Sequence, residues 1–275
     1  MQIPDLALDT SVPVLLVKHG RYPYHHGALG IVRSLGRVGV PTYAITEDQL
    51  TPLARSRYLT GRFPPPSDDS GTPEALVAHL LDIGRRIGRP TVAIPTDDGA
   101  AVVLAEHAAE LGGRFLIPGV APDLPRRLAS KQGMYELCRQ HGVPTPQTVF
   151  PTSVEELVRL ARELTFPVIA KNVEPWAPRP RQHVKSTTII HDERDLLDRF
   201  RDVTDLTGLL LQEYIPHARS EDWFVALHSN AAAVPEVQFV GQKARAWPPR
   251  SGVTADGRAA PNPIRCVAKH FPHEV

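Results

Sequence analysis

The chain is poor in the residues that staple small folds or clasp metals. Among its 275 residues only Cys138 and Cys266 are cysteines, which offers neither a disulfide framework nor a zinc-finger spacing. An excess of one charge is also missing. Thirty-one Lys plus Arg against thirty Asp plus Glu leave a net charge of +1, so nothing electrostatic favours nucleic acid or an anionic membrane surface. No apolar run approaches the roughly 18 residues needed to span a bilayer. The N-terminus MQIPDLALDTS has neither the basic nor the apolar part of a signal peptide, so the expected location is the cytoplasm. The glycine-spaced loop KHGRYPYHHGALG lacks the G-x-G-x-x-G spacing of a dinucleotide fingerprint. His19, His25 and His26 in that loop have no acidic or cysteine partner at ligand spacing, so they suit an acceptor pocket or a solvent face better than a metal.

What is present describes a globular protein long enough for two domains. Hydrophobic residues make up 42% and charged residues 22%, the balance of a soluble protein with its own cores. The first 120 or so residues alternate strand and helix. VPVLLV (12–17), TYAI (42–45), TVAIP (91–95) and RFLIP (114–118) read as strands. Between them lie helical patterns carrying Leu29, Val32 and Leu35, then Leu76, Val77, Leu80 and Leu81, then the run DDGAAVVLAEHAAEL. That alternation predicts βαβ units and a mostly parallel sheet. FPPPSDDSGTP (63–73) reads as a loop.

After Pro118 the pattern changes. Asp123 is placed to cap a helix running through LPRRLASKQGMYELCRQH to a stop at Gly142, Val143 and Pro144. On that helix Leu128, Lys131, Tyr135 and Cys138 recur at spacings of three, four and three, which sets Lys131 on an apolar stripe. Ser153 and Glu156 form a capping-box pattern before Leu157, Leu160, Ala161 and Leu164. The segments FPVIAK, KSTTII, LLLQEYI, DWFVALH and PEVQFVG then supply neighbouring strands, so this half reads as α+β. The expected boundary lies near residue 122.

Two charges sit where apolar strands end. Lys171 closes FPVIAK, and Gln212 with Glu213 close LLLQE. A lone lysine there is ordinarily a surface residue, because an unpaired buried charge costs several kcal/mol. A ligand offering both anionic groups and hydrogen-bond donors would satisfy both strand ends together.

The order LASKQGMYELCRQHGVPTPQT, FPVIAK, LLLQEYIP resembles the ATP-grasp superfamily, and GQKARAWPPRSGVT narrows the resemblance to its carboxylate-amine ligases. The resemblance implies an α/β and α+β architecture: a pre-ATP-grasp Rossmann-like domain over 1–122, then an ATP-grasp domain over 123–275. It implies that Lys131 and Lys171 contact ATP phosphates, a task suited to a compact cation. Glu213 and the backbone at Ile215 would meet the adenine, and Glu221 would meet the ribose. Lys243 and Arg245, two apart on one strand face, would act on the transferring phosphoryl group as catalytic residues. ATP is the implied cosubstrate, with Mg²⁺. A small-molecule carboxylate and an amine, such as amino acids, are the implied partners, and a homodimer is left open.

Two departures from the family pattern stand out. The stretch NVEPWAPRPRQHVKSTT after Lys171 carries no glycine, where the family often covers the phosphates with a glycine-rich loop; Lys185, Ser186 and Thr187 are substitutes. After Pro249 the only acids are Asp256 and Glu274, and the asparagine Asn262 precedes Glu274, so the Glu-x-Asn metal pattern is missing and no metal ligand is assigned. These departures lead to the expectation of a truncated ATP-grasp fold. Its function reads as ATP-dependent amide formation through an acyl phosphate, or alternatively as nucleotide binding without catalysis.

Overall fold

The computed structural model describes residues 8–20, 25–66, 71–176, 183–184, 187–216 and 223–242. The chain divides into two compact units, Met1–Leu137 with Glu174–Arg179 and Cys138–Val173 with Pro180–Val275.

In the first unit β1 (Val14–Val17), α1 (His26–Arg37), β2 (Thr42–Ile45), β3 (Gly61–Phe63), α2 (Pro73–Ile87), β4 (Thr91–Pro95), α3 (Asp98–Glu106), α4 (Ala108–Leu111) and β5 (Phe115–Leu116) follow one another. They form a parallel sheet of order β3-β2-β1-β4-β5. Every residue of β1 is buried, because alternate side chains feed two cores. Leu15 and Val17 join Leu76, Leu80 and Val103 of α2 and α3, while Val14 and Leu16 join Ala28 and Val32 of α1. A strand buried on both faces is what a doubly covered parallel sheet requires. Helices α2 and α3 start on side-chain caps, with Thr72 accepting from the Ala75 N–H at 3.3 Å and Asp97 from the Ala100 N–H at 2.8 Å. The three-residue strand β3 is absent from the sequence expectation. It borders a proline run that carries no alternation to read.

The helix expected from Asp123 onward is two helices, α5 (Leu124–Ala129) and α6 (Lys131–Gln140). Ser130 between them is extended, with φ −65° and ψ 130°. Gly133 permits the fold-back, since a Cβ there would lie 2.5 Å from the Arg127 carbonyl oxygen. The break corrects the apolar-stripe expectation: α6 buries none of its residues, and Lys131 is its first residue.

The second unit contains β6 (Thr148–Val149), α7 (Val154–Ala161), β7 (Val168–Asn172), β8 (Thr188–Ile190), α8 (Glu193–Phe200), β9 (Leu209–Glu213), β10 (Trp223–Ser229) and β11 (Pro235–Gln242). Four of these strands form an antiparallel sheet of order β6-β9-β7-β8. Its core joins Val168 and Ala170 of β7, Leu209 and Leu211 of β9, Leu157 of α7, and Leu196 and Phe200 of α8. The Ser153 hydroxyl accepts from the Glu156 N–H at 3.2 Å, and the Glu156 carboxylate returns to the Thr152 N–H at 2.9 Å, so the capping-box pattern is realised one residue upstream of the usual return contact. β10 and β11 pair as a separate antiparallel hairpin. Trp223, Val225 and Leu227 are exposed on one of its faces, and Phe224, Val237 and Phe239 on the other. No helix among the described residues is long and apolar enough to cross a membrane.

Candidate functional site

Strand register decides which polar groups meet in the second unit. β7 and β9 pair with Lys171 opposite Leu210 and Ile169 opposite Gln212, and β6 brings Thr148 opposite Gln212. Directly paired residues share a face, so Thr148, Ile169, Lys171, Leu210 and Gln212 form one face of the sheet. Val168, Ala170, Leu209 and Leu211 form the other, which packs on α7 and α8.

On the first face three side chains are joined in series. The Lys171 ammonium donates to Gln212 Oε1 at 2.8 Å, Gln212 Nε2 donates to Thr148 Oγ1 at 3.0 Å, and Thr148 Oγ1 donates to the Pro146 carbonyl at 2.9 Å. Lys171 is half-buried, and burial holds its ammonium below the usual lysine range. Among the described residues it has no carboxylate partner. A desolvated cation whose only partner among the described residues is a neutral amide has charge and donor capacity to offer an incoming anion.

Glu213 is one residue further along β9 and so belongs to the opposite face by alternation. It is exposed, and its carboxylate accepts from the Gln147 N–H at 3.2 Å while its own N–H donates to the Gln147 carbonyl at 2.8 Å. The sequence offers no ground for preferring Gln212 to Glu213 as the partner of Lys171, because only the register tells which of two adjacent residues faces the lysine. Ile215 follows β9 and is exposed. Asn172, the last residue of β7, is buried, donating to the Val184 carbonyl at 2.6 Å and accepting from the His183 N–H at 2.8 Å.

Lys131 begins α6 within the first unit. Glu221, Lys243 and Arg245, with Lys185 and Ser186, lie outside the described residues. Among the described residues no group of three or more His, Cys, Asp or Glu side chains gathers to hold a metal ion.

Comparison with known proteins finds similar sequences and folds. No family model matches the chain. It is 27% identical over 198 residues to the D-aspartate ligase of Enterococcus faecium (strain Aus0004), a match covering 68% of this chain and 47% of the relative. Among solved structures it resembles an L-amino acid ligase from Bacillus licheniformis, with a TM-score of 0.60 at 15% identity, covering 86% of this chain and 52% of that one. It also resembles an N5-carboxyaminoimidazole ribonucleotide synthetase solved as an ADP complex, with a TM-score of 0.59 at 14% identity, covering 86% and 56%. The chain thus spans about half the length of the relatives it matches. It shares its fold with these ligase and synthetase structures.

Proposed function

We propose that this chain binds ATP on the Lys171 face of its second unit and serves ATP-dependent ligation of a small carboxylate to an amine. The observation that carries the reading is the half-buried Lys171, whose charge is met, among the described residues, only by the neutral Gln212 amide. A phosphate oxygen would give that ammonium the charge-assisted partner it lacks within the sheet. Lys131 is read as a second phosphate contact. Glu213 and the Ile215 backbone are read at the adenine, and Glu221 at the ribose. Lys243 and Arg245 are read as the cations that meet the transferring phosphoryl group. The domains proposed for these roles are 1–122 and 123–275.

In the proposed reaction a carboxylate oxygen attacks the γ-phosphorus of ATP, the bond to the bridging oxygen breaks, and ADP leaves. The amine nitrogen then attacks the acyl carbon, inorganic phosphate departs, and the amine proton passes to solvent, leaving an amide. Lysine and arginine side chains aimed at the phosphoryl oxygens would stabilise the charge that develops there. D-Aspartate ligase and L-amino acid ligase, by their names, join amino acids, and amino acids are therefore the first substrates to try.

The test is ADP release measured with a panel of amino acids for the wild-type chain and for Lys171→Ala. ADP release that depends on an amino acid and is lost in the variant is the expected result. ADP release untouched by the substitution contradicts the site. ATP binding without any ADP release contradicts the ligase reading and leaves a nucleotide-binding protein.

A further inference from the structure

Thr148 belongs to no motif, yet the orientation of Gln212 depends on it. A threonine hydroxyl has one proton to give and lone pairs to accept with. The Pro146 carbonyl, 2.9 Å from Thr148 Oγ1, can only accept, so the hydroxyl proton is committed to it. The group facing Thr148 from Gln212 must then be a donor, which fixes the amide with Nε2 toward Thr148 at 3.0 Å and Oε1 toward Lys171 at 2.8 Å. A backbone carbonyl thereby dictates, through two side chains, that the lysine meets an oxygen and not an NH₂ group.

Thr148 is only 7% exposed, so water does not readily replace its contacts. No other charged side chain of β6, β7, β8 or β9 shares this face, since Glu213 is on the opposite one. Were the amide to rotate by half a turn, its NH₂ would confront the ammonium, and Oε1 would meet a hydroxyl whose proton is already engaged. Both new contacts are unfavourable.

We propose that Thr148 is a positioning residue, which locks the Gln212 amide so that its carbonyl oxygen holds the Lys171 ammonium in place for an anionic ligand. The proposal rests on the nucleotide reading of the Lys171 face for the identity of that ligand. The orientation relay itself is independent of it.

The test compares Thr148→Val, Thr148→Ser and Gln212→Leu in the full chain, with two readouts. One is ADP affinity by calorimetry. The other is the rate of Lys171 acetylation by trace acetic anhydride as a function of pH, followed by mass spectrometry. Valine keeps the shape and removes the hydroxyl. Thr148→Val is expected to weaken ADP binding about tenfold, the scale of one charge-assisted hydrogen bond, and to move Lys171 acetylation to lower pH. Thr148→Ser is expected to restore both. Wild-type acetylation of Lys171 in Thr148→Val overturns the relay. If that variant does not fold, unchanged acetylation in Gln212→Leu overturns it equally. Loss of the acetylation shift alongside ADP binding that still requires Lys171 removes the relay and leaves the nucleotide reading intact. A shift present while Lys171→Met binds ADP like wild type removes the nucleotide reading and leaves the relay.

Discussion

Lys18 and Lys171 are both lysines drawn into the protein at strand ends, and they are satisfied in opposite ways. Lys18 follows β1 and is 6% exposed, with its ammonium ion-paired to Glu47, which follows the neighbouring parallel strand β2. Its charge is balanced within the fold. Lys171 is in β7 and, among the described residues, meets only the Gln212 carbonyl oxygen, while burial lowers its pKa. A paired buried charge is a structural feature. A desolvated charge with a neutral partner is a cost that the folded protein carries and that an anion can relieve. This difference, and not burial as such, is what marks one of the two lysines as a candidate binding group.

The comparison can be broken from either side. The largest effect is expected at the structural lysine. Glu47→Gln removes the carboxylate and strands the Lys18 charge, so unfolding free energy should fall by about 3 kcal/mol, the lower end for breaking a buried pair. Denaturant melts check this, and ADP affinity should stay at the wild-type level. Next, Lys171→Met should weaken ADP binding by roughly 10- to 100-fold, which corresponds to about 1.5–3 kcal/mol for a hydrogen bond to a charged group; isothermal calorimetry reads it. The smallest effect has the opposite sign. The same Lys171→Met substitution should raise the melting temperature at neutral pH by up to about 3 °C, because it removes a charge that is costly to bury.

The pH dependence of that last effect follows from the direction of the shift. The folded-state pKa of Lys171 lies below its unfolded value, so the unfolded chain binds more protons between the two. Wild-type stability therefore rises with pH across that interval. The advantage of Lys171→Met should be largest below the folded pKa and vanish above the ordinary lysine pKa of about 10.4. A melting series at increasing pH checks the trend, and an advantage that grows with pH would contradict it.

The sheet of the first unit was readable because its strands and helices alternate with clear apolar patterns. TYAI and TVAIP are strands at the boundaries the sequence suggests, and Pro73–Ile87 is a helix between a threonine cap and a left-handed Gly88. The break at Ser130 was not readable. No proline or glycine marks it, and the need for Gly133 appears only once the Arg127 backbone lies against it. Lys171 could be singled out from its place at the end of an apolar run. Gln212 could not be told from Glu213, because one residue of register moves a side chain to the other face of the sheet. Thr148 was hidden for a further reason. Its importance comes from a hydrogen-bond direction set by the Pro146 carbonyl, and hydrogen-bond direction has no signature in a residue pattern.

The central claim is that Lys171 is a desolvated cation awaiting an anion, and it is tested most directly by titrating that one side chain with and without ADP. With ¹³C-labelled lysine, and with Lys171→Met used to assign the signal, NMR should give a pKa below that of an exposed lysine in the free protein and a rise on addition of ADP. A Lys171 signal that titrates like an exposed lysine and does not respond to ADP would contradict the account.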